Sequence, residues 1–309
     1  HIGTTAMALG IFAAAALWFG ITSPLGQNNI DVLFTQPLGF MVGVPLLTHQ
    51  LGYFNILPLY LVLLLLTPLL LAIGTRHPWP TLLVSLTLWA AAGEWSLNLP
   101  NYPTPGGWFF NPLSWQLIFV IGLLSGVAMR QGRALVPFDR VLFWGALAFV
   151  VFVGFWARID WLAEWGRSLL GRLATAGFPG YFTWFDKTFL ALPRLLHALA
   201  LAYVASSLPI VRSFAESIYA APLTLLGRHG LPVFATSSVL DMVIQAIKSA
   251  IGEDALSDGL MFSAGIGLLL LLAGVLDMLR GGRRRAVPAT VAVASDAGAP
   301  AASDLAVSG

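Results

Sequence analysis

The sequence predicts an all-α fold, a polytopic integral membrane helical bundle with about eight transmembrane helices, and three observations lead there. Hydrophobic residues fill 58% of the 309 positions and charged residues only 10%, against roughly 25% charged in an average soluble domain, so lipid has to be the main solvent. Several stretches reach the ~20 apolar residues that a helix needs to cross a bilayer core of about 30 Å, and in lipid a helix satisfies its own backbone hydrogen bonds. The basic residues also alternate from loop to loop, as they do when cytoplasmic loops carry the excess of Lys and Arg.

In chain order, residues 2–21 form the first apolar stretch. Residues 30–52 are apolar too, but Pro37, Gly39, Gly43 and Pro45 interrupt them, which predicts a re-entrant or interfacial segment rather than a span. Spans follow at 56–73, at 81–93 behind the punctuation Pro78-Trp79-Pro80, at 113–129 and at 141–157. After a loop of mixed charge (158–187) come 188–208, then 222–246 with Arg228, His229 and Asp241 inside it, and 260–279. This makes 1–280 one multi-helix transmembrane domain. Residues 281–309 read as a cytoplasmic tail, first basic and then, from 286 on, without aromatic residues and expected to be disordered. The chain opens with His1 directly on a span, without initiator Met or polar lead-in, and so reads as N-terminally truncated.

Loop charges give the orientation. Arg76, then Arg130, Arg133 and Arg140, then Arg212, and finally Arg280, Arg283, Arg284 and Arg285 fall on one side. That side is expected to be cytoplasmic and to hold the C-terminus. The opposite loops carry Asp31, Glu94 and the mixed group Lys248, Glu253, Asp254 and Asp258, and the 158–187 loop is the exception.

Composition also excludes function classes. With no cysteine, disulfides, thiolate nucleophiles and thiolate metal sites are absent. No basic patch suits nucleic acid. No Walker loop, dinucleotide fingerprint, His-Glu-x-x-His or Gly-x-Ser-x-Gly occurs, and no metal or bound cofactor is expected. What stands out are ionisable groups inside spans, where a charge costs roughly 2.5–3.5 kcal/mol. Arg194 and His197 share a helix face, and Arg228-His229 sits between Gly227 and Gly230-Leu231-Pro232, where a helix is expected to break and line a cavity. By depth the two pairs can converge near mid-membrane. There His197 and His229 suit proton transfer, and Arg194 and Arg228 suit an anionic group or a developing oxyanion. Ordinary interhelical pairing, with Asp241 as a partner, is the alternative reading. In the loop 98–112 and the helix that follows, Trp108, Asn111 and Gln116 suit a sugar ligand, against the alternative of an interfacial aromatic belt. Asn55 opens a span, where a helix cap is the plainer reading.

Asn55-Ile56-Leu57-Pro58-Leu59-Tyr60, Trp108-Phe109-Phe110-Asn111-Pro112 with Trp115-Gln116, Arg194-Leu195-Leu196-His197-Ala198-Leu199-Ala200 and Leu226-Gly227-Arg228-His229-Gly230-Leu231-Pro232-Val233-Phe234 together resemble the OpgC family of the membrane acyltransferase type 3 superfamily. The matches run in order from about residue 1 to about residue 240. The resemblance implies an O-acyltransferase of the bacterial inner membrane. Such an enzyme moves a succinyl group from cytoplasmic acyl-CoA (succinyl-CoA) to hydroxyls of osmoregulated periplasmic glucans, with the lipid bilayer, the donor and the glucan as partners. It also implies that Arg194 or Arg228 meets the succinyl carboxylate and that His197 or His229 relays protons. The chain departs from the pattern in three ways. About two helices that precede this region in the family, with the principal catalytic His, are not in the sequence; Gly230 stands where Ser is frequent, and Asn55 where Asp is common. Another envelope polysaccharide as acceptor, a secondary transporter or flippase, and a membrane scaffold are the alternative readings.

Overall fold

A computed structural model of the chain describes residues 2–19, 29–252 and 254–285. Among the described residues there are helices, turns and one isolated antiparallel bridge, between Pro100 and Gly107. The helices are α1 (Ile2–Phe19), α2 (Val32–Thr35), α3 (Pro37–Gly43), α4 (Ile56–Gly74), α5 (Pro78–Glu94), α6 (Pro112–Arg130) and α7 (Arg140–Trp156). They continue as α8 (Asp160–Thr175), α9 (Gly180–Thr183), α10 (Leu192–Ser207), α11 (Pro209–Glu216), α12 (Ala221–Arg228), α13 (Gly230–Ile251) and α14 (Ala255–Arg285).

Local chemistry sets the boundaries. Pro78 and Pro80 lie in the first turn of α5, where a missing N–H costs nothing, so Pro-Trp-Pro opens this helix instead of interrupting it. Pro112 does the same for α6, whose N-cap Asn111 accepts a hydrogen bond from the Leu113 amide at 3.0 Å. Asp139 caps α7 through the Leu142 amide at 2.8 Å. The expected break near Arg228-His229 is present: α12 ends at Arg228, His229 leaves helical geometry at ψ 34°, and α13 starts at Gly230. Residues 30–52 form α2, α3 and turns and contain no span.

By length and composition four helices can cross a membrane: Ile56–Gly74, Pro112–Arg130, Gly230–Ser249 and Ala255–Arg280. Two bent pairs, α7 with α8 at 110° and α10 with α11 at 75°, raise the number to six. The expected count of about eight is therefore not reached on this measure. α5 has 17 residues, and the portion of α1 between Gly3 and Ala13 is a shorter apolar helix. The mixed-charge loop at 158–187 is largely helical, as α8 and α9. At the other end α14 continues through Arg285, so the expected boundary at 280 falls inside a helix. The tail 286–309 lies outside the described residues.

The helices associate in groups. α4, α5 and α6 pack together, α7 lies along α10, and α1 lies along α13, which joins α12 in flanking α14. One core holds Phe12, Phe40, Phe54, Met242 and their neighbours, and a second holds Trp89, Leu117, Leu190 and Leu195. Burying side chains of this size is the main favourable term wherever helices meet, at about 1.5–3 kcal/mol each in water and through packing contacts in lipid.

The expected sidedness has a structural counterpart. Gly74, Thr75, Pro78, Gln131 and Arg133 meet around one small cavity, so Arg76 and Arg133 share an end of the α4–α5–α6 trio. The Tyr203 hydroxyl accepts from the Asp139 amide at 2.9 Å and donates to the Pro137 carbonyl at 3.2 Å. That places the last turns of α10, and hence Arg212 bonded to the Ser206 carbonyl, beside Arg140. At the other end the Trp115 and Trp89 indoles donate to the carbonyls of Lys187 (2.9 Å) and Leu190 (3.1 Å).

At this second end, loop 98–108 rests on α3 and the turn after it. Gly39 and Gly43 are one turn apart and present a flat face: Pro103 lies against Gly39, and the Tyr102 carbonyl and His49 against Gly43. The Tyr102 amide donates to the Thr48 carbonyl at 3.0 Å, which locks the contact. Gly43→Ala places a methyl group against backbone, which costs about 1–3 kcal/mol for an overpacked site. A lower melting temperature of the purified protein is the expected result. Gly122→Ala, at an open position of α6, is expected to leave the melting temperature unchanged or raise it.

Candidate functional site

The loops at the end opposite the arginines enclose a cavity of about 290 Å³ lined by Asn29, Gln50, Asn55, Asn101, Thr104, Gly107, Phe109 and Thr188. Its walls are built by short-range bonds. Loop 98–108 closes on itself through Asn101 N–H to the Gly106 carbonyl (2.9 Å), Trp108 N–H to the Leu99 carbonyl (2.9 Å) and Asn98 Nδ2 to the Trp108 carbonyl (2.8 Å). Gly106 adopts φ +107°, a conformation that side chains other than glycine's rarely allow. On the facing wall Gln50 Nε2 donates to the Leu47 carbonyl at 3.1 Å and Asn29 Nδ2 to the Gln50 carbonyl at 3.5 Å.

Behind that wall His49 is 1% exposed. Its Nε2 lies 3.0 Å from the Asn29 carbonyl, which can only accept, so Nε2 carries the proton and Nδ1 keeps a lone pair. Among the described residues Nδ1 is buried without a partner. Burial pushes this imidazole below its ordinary pKa, against the opposing pull of the Asn29 carbonyl and the Asp31 charge, and the ring is therefore neutral near pH 7.

Of the residues singled out in the sequence, Asn55 lines the cavity and makes no capping bond. Trp108, Asn111 and Gln116 lie beneath it, all buried. Asn111 has no accessible surface: its side chain caps α6 and donates to the Leu97 carbonyl at 2.6 Å, and its amide donates to the Thr188 carbonyl at 3.3 Å. Gln116 is a clamp between α6 and α5, accepting from the Ser85 hydroxyl at 2.5 Å and donating to the Ser85 carbonyl at 2.8 Å. Trp108 packs at 3% exposure and its indole N–H has no partner among the described residues; the exposed aromatic at the cavity is its neighbour Phe109.

The membrane Arg and His residues each have their own local contacts. Arg194, exposed in the first turn of α10, donates from Nε to the Phe185 carbonyl at 2.8 Å, and His197 meets the Phe149 ring at 6.5 Å. His229 is 2% exposed, with Nε2 3.3 Å from an Asp277 carboxylate oxygen and, among the described residues, Nδ1 unpartnered, while the adjacent Arg228 is exposed. Among the described residues no hydrogen bond or ion pair links the α10 pair to Arg228 or His229. Phe185 belongs to the cavity end, whereas Asp277 is one turn before Arg280. Asp241 cannot reach His229, since the two are roughly 18 Å apart along α13 at about 1.5 Å per residue.

Asp277 was open to the rule that picked out the arginines, because it is a lone carboxylate in the apolar run 260–279. Asn29, Gln50, Asn101, Thr104 and Thr188 carried no such signal: they come from four stretches of chain and share only polarity. Among the described residues no group of three or more His, Asp or Glu is placed to hold a metal ion.

These placements separate supporting from lining residues. Gln116→Ala strands the Ser85 hydroxyl in a buried interface and is expected to cost about 1–3 kcal/mol. Asn55→Ala removes no protein hydrogen bond and is expected to stay within about 0.5 kcal/mol of the parent. Thermal melting of the two purified variants checks both.

Comparison with known proteins places this geometry in a family. No curated protein and no solved structure matches the chain. A family model described as OpgC protein matches residues 1–281, nearly the whole described chain, and the protein therefore belongs to the OpgC family.

Proposed function

We propose that this protein is a membrane O-acyltransferase that transfers a succinyl or similar acyl group from acyl-CoA to hydroxyls of osmoregulated periplasmic glucans. Membership of the OpgC family carries this reading. The proposal places it in the bacterial inner membrane, with the arginine end and the C-terminus in the cytoplasm and the amide-lined cavity facing the periplasm. No bound cofactor is needed, because acyl-CoA is a substrate.

The two ends suit different molecules. Phosphate-bearing acyl-CoA is drawn to an end that collects Arg76, Arg133, Arg140 and Arg212. A hydroxyl-rich sugar is met at the other end by carboxamides and threonines. In the transfer, the sugar hydroxyl oxygen bonds to the acyl carbonyl carbon, the carbon–sulfur bond of the thioester breaks, and the thiolate leaves as CoA. The hydroxyl proton passes to a base. His229, held by Asp277, has the form of such a base, and His197 on α10 is the second candidate. Arg194 or Arg228, both exposed, is assigned to the succinyl carboxylate.

One observation favours a secondary transporter instead: a broken helix whose buried histidine pairs with a half-exposed carboxylate is also how transporters hold ions and substrates. The product decides between the two. Periplasmic glucans from cells with the gene are expected to carry anionic, succinyl-sized esters by anion exchange and mass spectrometry, and glucans from cells without it are not. Identical glucans would refute the reading. Arg228→Ala is expected to lower ester content about 10- to 100-fold, the loss of a hydrogen bond to a charged group, at unchanged membrane abundance. Full ester content in both Arg228→Ala and Arg194→Ala would remove the arginines from the mechanism.

A further inference from the structure

The cavity has a more specific chemistry than its position requires. Of its eight lining residues none is charged; four are carboxamides, two are threonines, and Phe109 supplies an aromatic ring that is 45% exposed. The donors of three carboxamides are directed at backbone carbonyls: Asn29 at Gln50, Gln50 at Leu47, and Asn101 at Gly107 at 2.8 Å. A carbonyl can only accept, so each of these bonds fixes which end of the amide is nitrogen, and among the described residues none of the three amide oxygens accepts a protein hydrogen bond. Asn55 and the hydroxyls of Thr104 and Thr188 make no side-chain bond to the protein among the described residues. The wall therefore offers acceptors and rotatable hydroxyls on a scaffold already held in place, and that lowers the ordering cost of binding.

This set of groups selects among ligands. An anion finds no cation, so CoA phosphates and carboxylates are disfavoured. An acyl chain would strip water from six polar side chains without replacing their hydrogen bonds. A neutral polyhydroxyl ring satisfies both halves of the site, with hydroxyls toward the amide oxygens and threonines and its C–H surface toward Phe109. The volume, at the small end of the roughly 300–1,000 Å³ usual for ligand sites, suits one monosaccharide unit.

We infer that this cavity grips the acceptor through one uncharged, unacylated sugar unit and turns away a unit that already carries a succinyl ester. The word acceptor rests on the acyltransferase reading; the binding does not. A succinylated unit brings a carboxylate to a wall without a cation and adds bulk to a site sized for one ring. The enzyme would then place esters only where the chain still offers an unmodified unit, which spaces the charges along it.

The test is binding of a neutral four-unit glucose oligosaccharide to the full-length protein in lipid nanodiscs, without acyl donor, by saturation-transfer NMR and titration. The same oligosaccharide after chemical succinylation serves as the second ligand. The neutral form is expected to bind, and the succinylated form at least about tenfold more weakly. Asn55→Leu and Thr104→Val, neither of which breaks a protein hydrogen bond, are each expected to weaken the neutral form about tenfold, the loss of one or two hydrogen bonds. No binding of the neutral oligosaccharide, equal or tighter binding of the succinylated one, or full binding by both variants would overturn the inference. Ester content of cellular glucans, measured alongside, separates the two proposals. Binding as expected with no ester formed keeps the subsite and refutes the transferase, and ester formation without neutral binding does the reverse.

Discussion

Asn111 is the junction on which the cavity end depends. It has no accessible surface, and its bonds reach three segments: the first turn of α6, the carbonyl of Leu97 after α5, and the carbonyl of Thr188 before α10. In a bilayer, helix ends are where backbone groups are left without partners. Its carboxamide satisfies groups from the first two, and its backbone N–H serves the third. Thr188 and the loop that begins after Leu97 supply cavity wall, so the same residue that closes the helix ends also fixes where the polar lining sits.

Polarity is distributed accordingly. Along the helices the exposed side chains are apolar, as on α4 with Leu64, Leu65 and Leu69, and polar groups gather at the two ends. One end collects Arg76, Arg133, Arg140 and Arg212, and at the other the cavity lining is uncharged and rich in amides. His229 with Asp277 is an exception inside the helical region, seated where α12 gives way to α13. The proposed transfer, from a charged thioester to a neutral sugar, assigns one molecule to each end.

Much of this was legible in the sequence because lipid imposes simple rules. Apolar length located α4, α6, α13 and α14, and prolines and glycines marked 30–52 as something other than a span. Arg228-His229 between glycines foretold the break between α12 and α13. Proline misled at Pro78-Trp79-Pro80, where its position in the first turn makes it a start signal. The site was less legible. Trp108, Asn111 and Gln116 have the residue types of a sugar site but are turned inward as supports, and type alone does not tell a lining amide from a buried one. The lining comes from five stretches that only the fold assembles, and the partner of His229 lies on α14, beyond any local pattern.

The central claim is that the protein joins a donor from the arginine end to an acceptor at the cavity end. It is tested most directly in sealed vesicles holding the full-length protein, with acyl-labelled succinyl-CoA on the arginine side and a neutral glucose oligosaccharide on the other. The expected result is label in ester linkage on the oligosaccharide and free CoA thiol on the donor side, in equal amounts. Oligosaccharide that crosses the membrane unmodified, or CoA released without any ester, would contradict it.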